Sequence, residues 1–260
     1  MRLDLDQPRT LGELIGLTFE LFGRHLATFL SLTLIVVAPV VLLVDGVWGG
    51  YLADGGDADP SAAANWTSIA LGTVVIPPLV TALQVVVVQA LARAQEPTVG
   101  AALRLAAPRL PAALGAVVLY SLGVALGLVA LVVPGVWLSV RWYFAAQAAV
   151  VDGLGPVDAL RRSAEVVQTR WWRTFGVLLA FGLLIGIFGA VAGAAIRTID
   201  NGAIYTSAQV LLQAGLLSLT AIFGTLLFFD SRARAHVPWQ GPPPPPVPAE
   251  PERPIQPPRI

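Results

Sequence analysis

Six long apolar runs, at 26–44, 69–92, 112–133, 136–151, 175–196 and 203–229, are separated by short polar stretches. A helix needs about 17–25 largely apolar residues to cross the hydrocarbon core of a bilayer. Most of the runs meet that length; 136–151 is shorter and is interrupted by Arg141 and Gln147. The pattern therefore predicts an all-α integral membrane protein with six transmembrane helices. The stretch before the first run holds Asp4, Asp6, Arg9, Glu13, Glu20 and Arg24, unlike the short basic start of a cleaved leader, so the first run is expected to be a retained helix. Pro39, Pro77 and Pro78 fall inside runs and are expected to kink rather than break them, by packing geometry or at a gating hinge.

Polar-faced segments precede the first, third and fifth runs. A shift of about 146 residues aligns Leu11 with Val157, Leu14 with Leu160, Arg24 with Arg170 and Phe29 with Phe175. The middle segment repeats the placement, its Thr98 and Gly100 echoing Thr10 and Gly12. Three repeats follow, each an amphipathic interfacial helix plus a pair of membrane helices. In the last, Val157, Leu160, Ala164 and Val167 form one apolar stripe. Pro156 and Asp158 suit the first turn and the positive end of the helix dipole. Such a helix is expected on the membrane surface, with Arg161, Arg162, Arg170 and Arg173 as anchors to anionic headgroups or as partners of Asp152, Asp158 or Glu165, and Trp171 and Trp172 in the aromatic belt.

Composition agrees. Apolar residues make up 56% of the chain and charged ones 12%, too few charges to cover a soluble protein of 260 residues. The formal charge is zero, so no basic field argues for nucleic acid. Its distribution is uneven. The 45–66 connection carries Asp45, Asp54, Asp57 and Asp59 without an Arg, whereas Arg93, Arg104 and Arg109 occupy the next. The Pro134-Gly135 turn is uncharged, Arg161 to Arg173 crowd the following connection, Arg197 stands alone in the next, and Arg232 and Arg234 follow the sixth run. Arg-rich and Arg-poor connections alternate, which places both termini in the cytoplasm and requires an even number of spans. All basic side chains are Arg, and with the Ala, Gly, Pro and Val content this suggests a GC-rich bacterium, hence a bacterial cytoplasmic membrane. The domain division is a polytopic membrane domain at 1–230 and a disordered, proline-rich cytoplasmic tail at 231–260, or a docking ligand for a proline-binding partner.

Candidate chemistry is sparse. There is no cysteine, the two histidines are isolated, and no nucleotide-binding or nucleophile motif occurs, so no catalytic residue, metal or cofactor is expected and the chain is not read as an enzyme. Asp54, Asp57 and Asp59 lack the length and glutamate of a calcium loop. Arg141, costly in an apolar run, is either a structural anchor or a lipid or substrate contact. Gln84, Gln89, Gln147, Gln209 and Gln213 either join helices by hydrogen bonds or line a polar path; Gln147, Gln209 and Gln213 are kept with Arg141 as candidate contacts. The spacings Gly123-Gly127, Gly182-Gly186 and Gly189-Gly193 permit close helix approach, within the monomer in preference to a dimer.

The run Val133-Pro134-Gly135-Val136-Trp137-Leu138, then Arg141-Trp142-Tyr143-Phe144, Ala159-Leu160-Arg161-Arg162-Ser163 and Trp171-Trp172-Arg173 resembles the bacterial glycerophosphoryl diester phosphodiesterase membrane domain family and related multi-pass proteins of unknown function. In that family the chemistry belongs to a separate soluble barrel with paired His, Glu and Asp residues and a metal, and no such barrel is encoded here. The resemblance implies a membrane domain without a known reaction. The expected function is a non-catalytic scaffold or assembly partner whose partners are membrane lipids and other membrane proteins. The alternative is a transporter or lipid-handling protein; oligomeric state is left open.

Overall fold

The computed structural model describes residues 4–5, 7–41, 75–200 and 202–236, and all of its regular elements are helical. They are α1 (Leu11–Arg24), α2 (Leu26–Val41), α3 (Ile76–Ala92), α4 (Val99–Ala106), α5 (Leu110–Ala130), α6 (Val132–Arg141), α7 (Ala145–Val151), α8 (Pro156–Gln168), α9 (Trp171–Ile196) and α10 (Gly202–His236). The acidic 45–66 connection and the proline-rich part of the tail lie outside the described residues, as do the ends of the first two expected spans at 42–44 and 69–74.

Three helical stretches are long and apolar enough to cross a membrane: Val99–Ala130, which runs from α4 into α5, Trp171–Ile196, and Ser207–Ala235 within α10. The α1–α2 pair qualifies only as a span bent by 86°, and α3 is apolar but shorter. The bend at His25 separates an amphipathic helix, which buries Leu14, Leu17 and Leu21, from the uniformly apolar α2. Local chemistry explains where the short helices start. Thr10 caps α1, accepting from Glu13 N at 3.3 Å while Glu13 accepts from Thr10 N at 2.7 Å, a reciprocal capping box. Thr98 caps α4 with one half of that arrangement, accepting from Ala101 N at 3.3 Å. Pro156 opens α8.

Three features differ from the sequence pattern. The expected 136–151 span is two helices, α6 and α7, joined by a turn at Trp142–Phe144. Ser163 of α8 holds that break, donating to the Arg141 carbonyl at 3.0 Å and accepting from Phe144 N at 3.0 Å, so a side chain replaces the lost helical bonds. The hairpin expected at Pro134-Gly135 turns instead at Leu131, an extended residue, and Pro134 and Gly135 lie inside α6. Proline suits a first turn because its missing N–H has no partner there, and the same reasoning explains Pro77 and Pro78, which stand in the first turn of α3 rather than kinking its middle. Finally, α10 does not end at Phe229 but continues through Asp230 to His236, across the 230/231 boundary.

Glycine sets the α5–α6 distance. A Cβ on Gly127 would come within 3.0 Å of the Gly135 backbone, and one on Gly123 within 2.3 Å of the Trp142 ring. Farther down, Arg109 donates to the Val150 carbonyl. The broken pair α6–α7 therefore runs antiparallel to α5 along its length, about 30 Å for a helix of 21 residues. The expectation for α9 is corrected. Among the described residues a Cβ added to Gly182, Gly186 or Gly193 would meet nothing within 4 Å, and of these four glycines only Gly189 faces a neighbour, Leu216 of α10 at 3.0 Å. The α9–α10 contact rests instead on the stacked rings of Phe181 and Phe223, 3.6 Å apart.

Candidate functional site

The charged residues gather where the Arg-rich connections meet. Asp230 is fully buried, and its carboxylate accepts from Arg173 at 2.7 Å, from Arg234 at 3.0 Å and from the Arg9 backbone N–H at 2.6 Å. Arg173 and Arg234 also donate to the Arg9 carbonyl, at 3.1 and 2.6 Å. One carboxylate thus ties the segment before α1, the start of α9 and the end of α10. The enclosed Arg9 Nη1 has no hydrogen-bond partner among the described residues, while its other terminal nitrogen donates to the Asp4 carbonyl. A second centre takes another arginine of α10, Arg232. Asp152, after α7, pairs with Arg232 at 2.9 Å and with Arg162 of α8 at 3.3 Å, and Arg162 also reaches Glu165 at 3.3 Å. Because partly enclosed ion pairs are screened less than surface ones, these contacts fix how the helix ends assemble.

The four arginines read as lipid anchors therefore divide. Arg162 and Arg173 are engaged inside the protein. Arg161 is exposed and has only Asp158 at 3.6 Å, and Arg170 makes no ion pair among the described residues. The α8 stripe divides as well. Ala164 and Val167 are buried with Ala159, Ser163 and Val166, whereas Val157 is exposed. The apolar face of α8 is covered by α5, α6 and α7 rather than left bare for lipid. Trp172 is exposed, and Trp171 stacks on Phe175 and donates to the Trp137 carbonyl at 3.2 Å.

Glutamines separate by position on their helices. Gln84, at the centre of α3, donates to Thr33 of α2 at 2.9 Å and to Ser218 of α10 at 3.0 Å, and the two hydroxyls are 2.8 Å apart. This buried triad joins three helices by interhelical hydrogen bonds. Gln209 and Gln213 lie on the exposed face of α10, away from it. Gln147 of α7 is 4% exposed, and its side-chain oxygen has no hydrogen-bond partner among the described residues. Arg141 is half-buried with its guanidinium 4.8 Å from the centre of the Trp137 ring, a cation–π contact. Arg141 and Gln147 therefore flank the helix break but are not joined to Gln209 or Gln213.

Beside the break lies a cavity of about 180 Å³ between α3, α5, the α6–α7 turn and α10. Its wall is largely aliphatic, with Thr81, Tyr120, Trp142, Tyr143, Gln147 and Thr220 as the residues bearing polar atoms. A larger space of about 320 Å³, lined by Arg24, His25, Gln95 and Glu96, separates the α1–α2 corner from the end of α3. No group of three or more His, Cys, Asp or Glu side chains able to hold a metal occurs among the described residues.

The family described as Domain of unknown function (DUF7847) matches residues 65–229, well over half of the chain. The chain belongs to this family. The matched stretch includes α3 to α9 and most of α10, and so Gln84 and Ser218, the helix break and the cavity, while Thr33 of the triad lies before it. No curated protein and no solved structure matches the chain.

Sequence reasoning passed over Asp230, Ser163 and the Thr33–Ser218 pair. Asp230 carried a signal, since Arg234 follows one helical turn later, the spacing of an intrahelical ion pair. Nothing local marks Ser163, whose role depends on a break 19 residues away in the chain.

Proposed function

We propose that this protein is a six-span, non-catalytic scaffold or assembly partner in the bacterial cytoplasmic membrane, with both ends in the cytoplasm. The spans are α2, α3, α5, the broken pair α6–α7, α9 and α10; α1, α4 and α8 are the interfacial helices of three units. The equivalent threonine caps of α1 and α4 support the repeat. Convergence of Arg9, Arg162, Arg173, Arg232 and Arg234 on the Asp230 and Asp152 centres supports a single cytoplasmic end.

The observation that carries the scaffold reading is how the polar groups are used. Gln84, Thr33 and Ser218 bond one another, and Asp230 and Asp152 are each neutralised by two arginines. These groups lock helices together, whereas a translocation path needs polar groups free to exchange partners with a solute. The resemblance around the helix break and Trp171-Trp172-Arg173 fits a membrane domain without its own reaction. Purification of the full chain in mild detergent tests this: the same membrane proteins should copurify stoichiometrically in repeated preparations. Isolation without any protein partner, together with solute-dependent flux in reconstituted vesicles, overturns it.

The second reading, lipid handling, is favoured by the cavity at the helix break, whose described lining is uncharged and mostly aliphatic.

A further inference from the structure

A glutamine carboxamide has both donors and an acceptor to satisfy, and within a membrane-embedded bundle no bulk water can do so. Gln147 is 96% buried and lines the cavity, and its enclosed side-chain oxygen has no donor among the described residues. The amide has little room to turn toward α10, because a Cβ on Gly224 would already lie 3.0 Å from its nitrogen and 3.3 Å from the Tyr143 hydroxyl. Tyr120 and Tyr143 bring phenolic groups to the same wall, and aliphatic and aromatic surface makes up most of the rest. Among the described residues the lining contains no ionisable side chain other than these two tyrosines.

We propose that this cavity is a binding site for an uncharged lipid bearing a free hydroxyl, of the long-chain alcohol class, whose hydroxyl donates to the Gln147 side-chain oxygen. The proposal deepens the lipid-handling reading and rests on it. The chemistry discriminates among lipids. A phosphate or carboxylate headgroup would enter a cavity with no cation among the described residues of its wall and leave its charge uncompensated. A ketone, ester or ether only accepts, and so leaves the Gln147 oxygen unpaired. A hydroxyl donates as well as accepts, and a site built around such a group rejects the analogue lacking it more strongly than apolar contacts discriminate chain length. The aliphatic wall takes the first part of the chain, and the rest extends toward the bilayer.

The test uses full-length protein in lipid nanodiscs and a photoreactive long-chain alcohol carrying a diazirine. Displacement of the probe is measured with dodecan-1-ol and with its methyl ether, and the labelled peptides are identified by mass spectrometry. The expected result is labelling within the segments that hold Thr81 and Tyr143, with the alcohol displacing the probe at about tenfold lower concentration than the ether, equivalent to about 1.4 kcal/mol. In Gln147→Leu, which keeps most of the side-chain volume, the two competitors should become equal. Equal competition in the wild type overturns the proposal, and that comparison alone decides should the variant fail to fold. Alcohol-selective labelling confined to other faces overturns the cavity assignment but leaves lipid handling standing. Absence of saturable labelling anywhere overturns both.

Discussion

Two buried polar residues show how magnitude depends on what a substitution leaves behind. Asp230→Asn removes the charge facing Arg173 and Arg234, both of them only 21–27% exposed, and strands two guanidiniums beside a neutral amide. Breaking an enclosed ion pair from one side costs roughly 3–5 kcal/mol, so thermal unfolding in neutral detergent should show a large loss, greater than for Asp152→Asn, whose carboxylate is partly exposed. Gln84→Leu behaves differently. It deletes two donated hydrogen bonds but also a side-chain oxygen that has no partner, and the Thr33 and Ser218 hydroxyls still bond each other. With interhelical hydrogen bonds in membranes averaging about 0.6 kcal/mol, the loss should stay near 1 kcal/mol in the same assay. An equal loss for the two variants would show that charge neutralisation is not what Asp230 supplies.

Helix ends and helix contacts give sharper contrasts at the next scale. The end of α3 bonds Gln95 N to the Ala90 carbonyl and Ala94 N to the Leu91 carbonyl, a Schellman cap whose left-handed position, φ +56°, holds Ala94. Glycine takes that conformation without the Cβ clash, worth roughly 1–2 kcal/mol for other residues, so Ala94→Gly should raise the unfolding midpoint. On α5, Gly123→Ala forces a methyl into the Trp142 ring and should cost about 1–3 kcal/mol. Gly182→Ala on α9 meets open space and should be neutral or stabilising, by up to about 1 kcal/mol. A matching loss at both sites in thermal melts would contradict the glycine contacts described above. At α1 the bond from the Thr10 backbone N–H, followed by that from its hydroxyl, holds the Glu13 carboxyl below its ordinary value. A depressed folded value means that the capping contribution is complete above the unfolded value and is lost as pH falls through the folded one. Amide exchange of α1 should therefore quicken on acidification below the ordinary carboxyl range, and Thr10→Val should quicken it already at neutral pH.

For the whole molecule, orientation is the first quantity to test, and the native chain has no cysteine to interfere. In intact cells a membrane-impermeant thiol reagent should label Ala58→Cys and spare Pro244→Cys; the reverse pattern inverts the molecule. Anionic lipid should stabilise the wild type more than Arg161→Gln/Arg170→Gln, because those two arginines are the ones not drawn into the buried ion pairs; equal stabilisation removes the anchor. The sequence by itself determined the all-helical class with runs apolar enough to cross a membrane, the short helices that precede them and the gathering of arginine at particular connections. These follow from local terms: hydrophobic run length, helical periodicity and charge count read directly along the chain. Only tertiary structure decided that the 136–151 run breaks at Trp142, that Asp230 belongs to a buried helix end, and that Gln147 faces a cavity while Gln209 and Gln213 face outward. Each depends on a partner far away in the chain, Ser163 for the break, Arg9 and Arg173 for Asp230, and α3 and α10 for the cavity wall, and apolar pattern carries no record of which polar groups meet. In a membrane helix hydropathy is satisfied on every face, so it fixes that a residue lies in the bundle and leaves to packing which way it points.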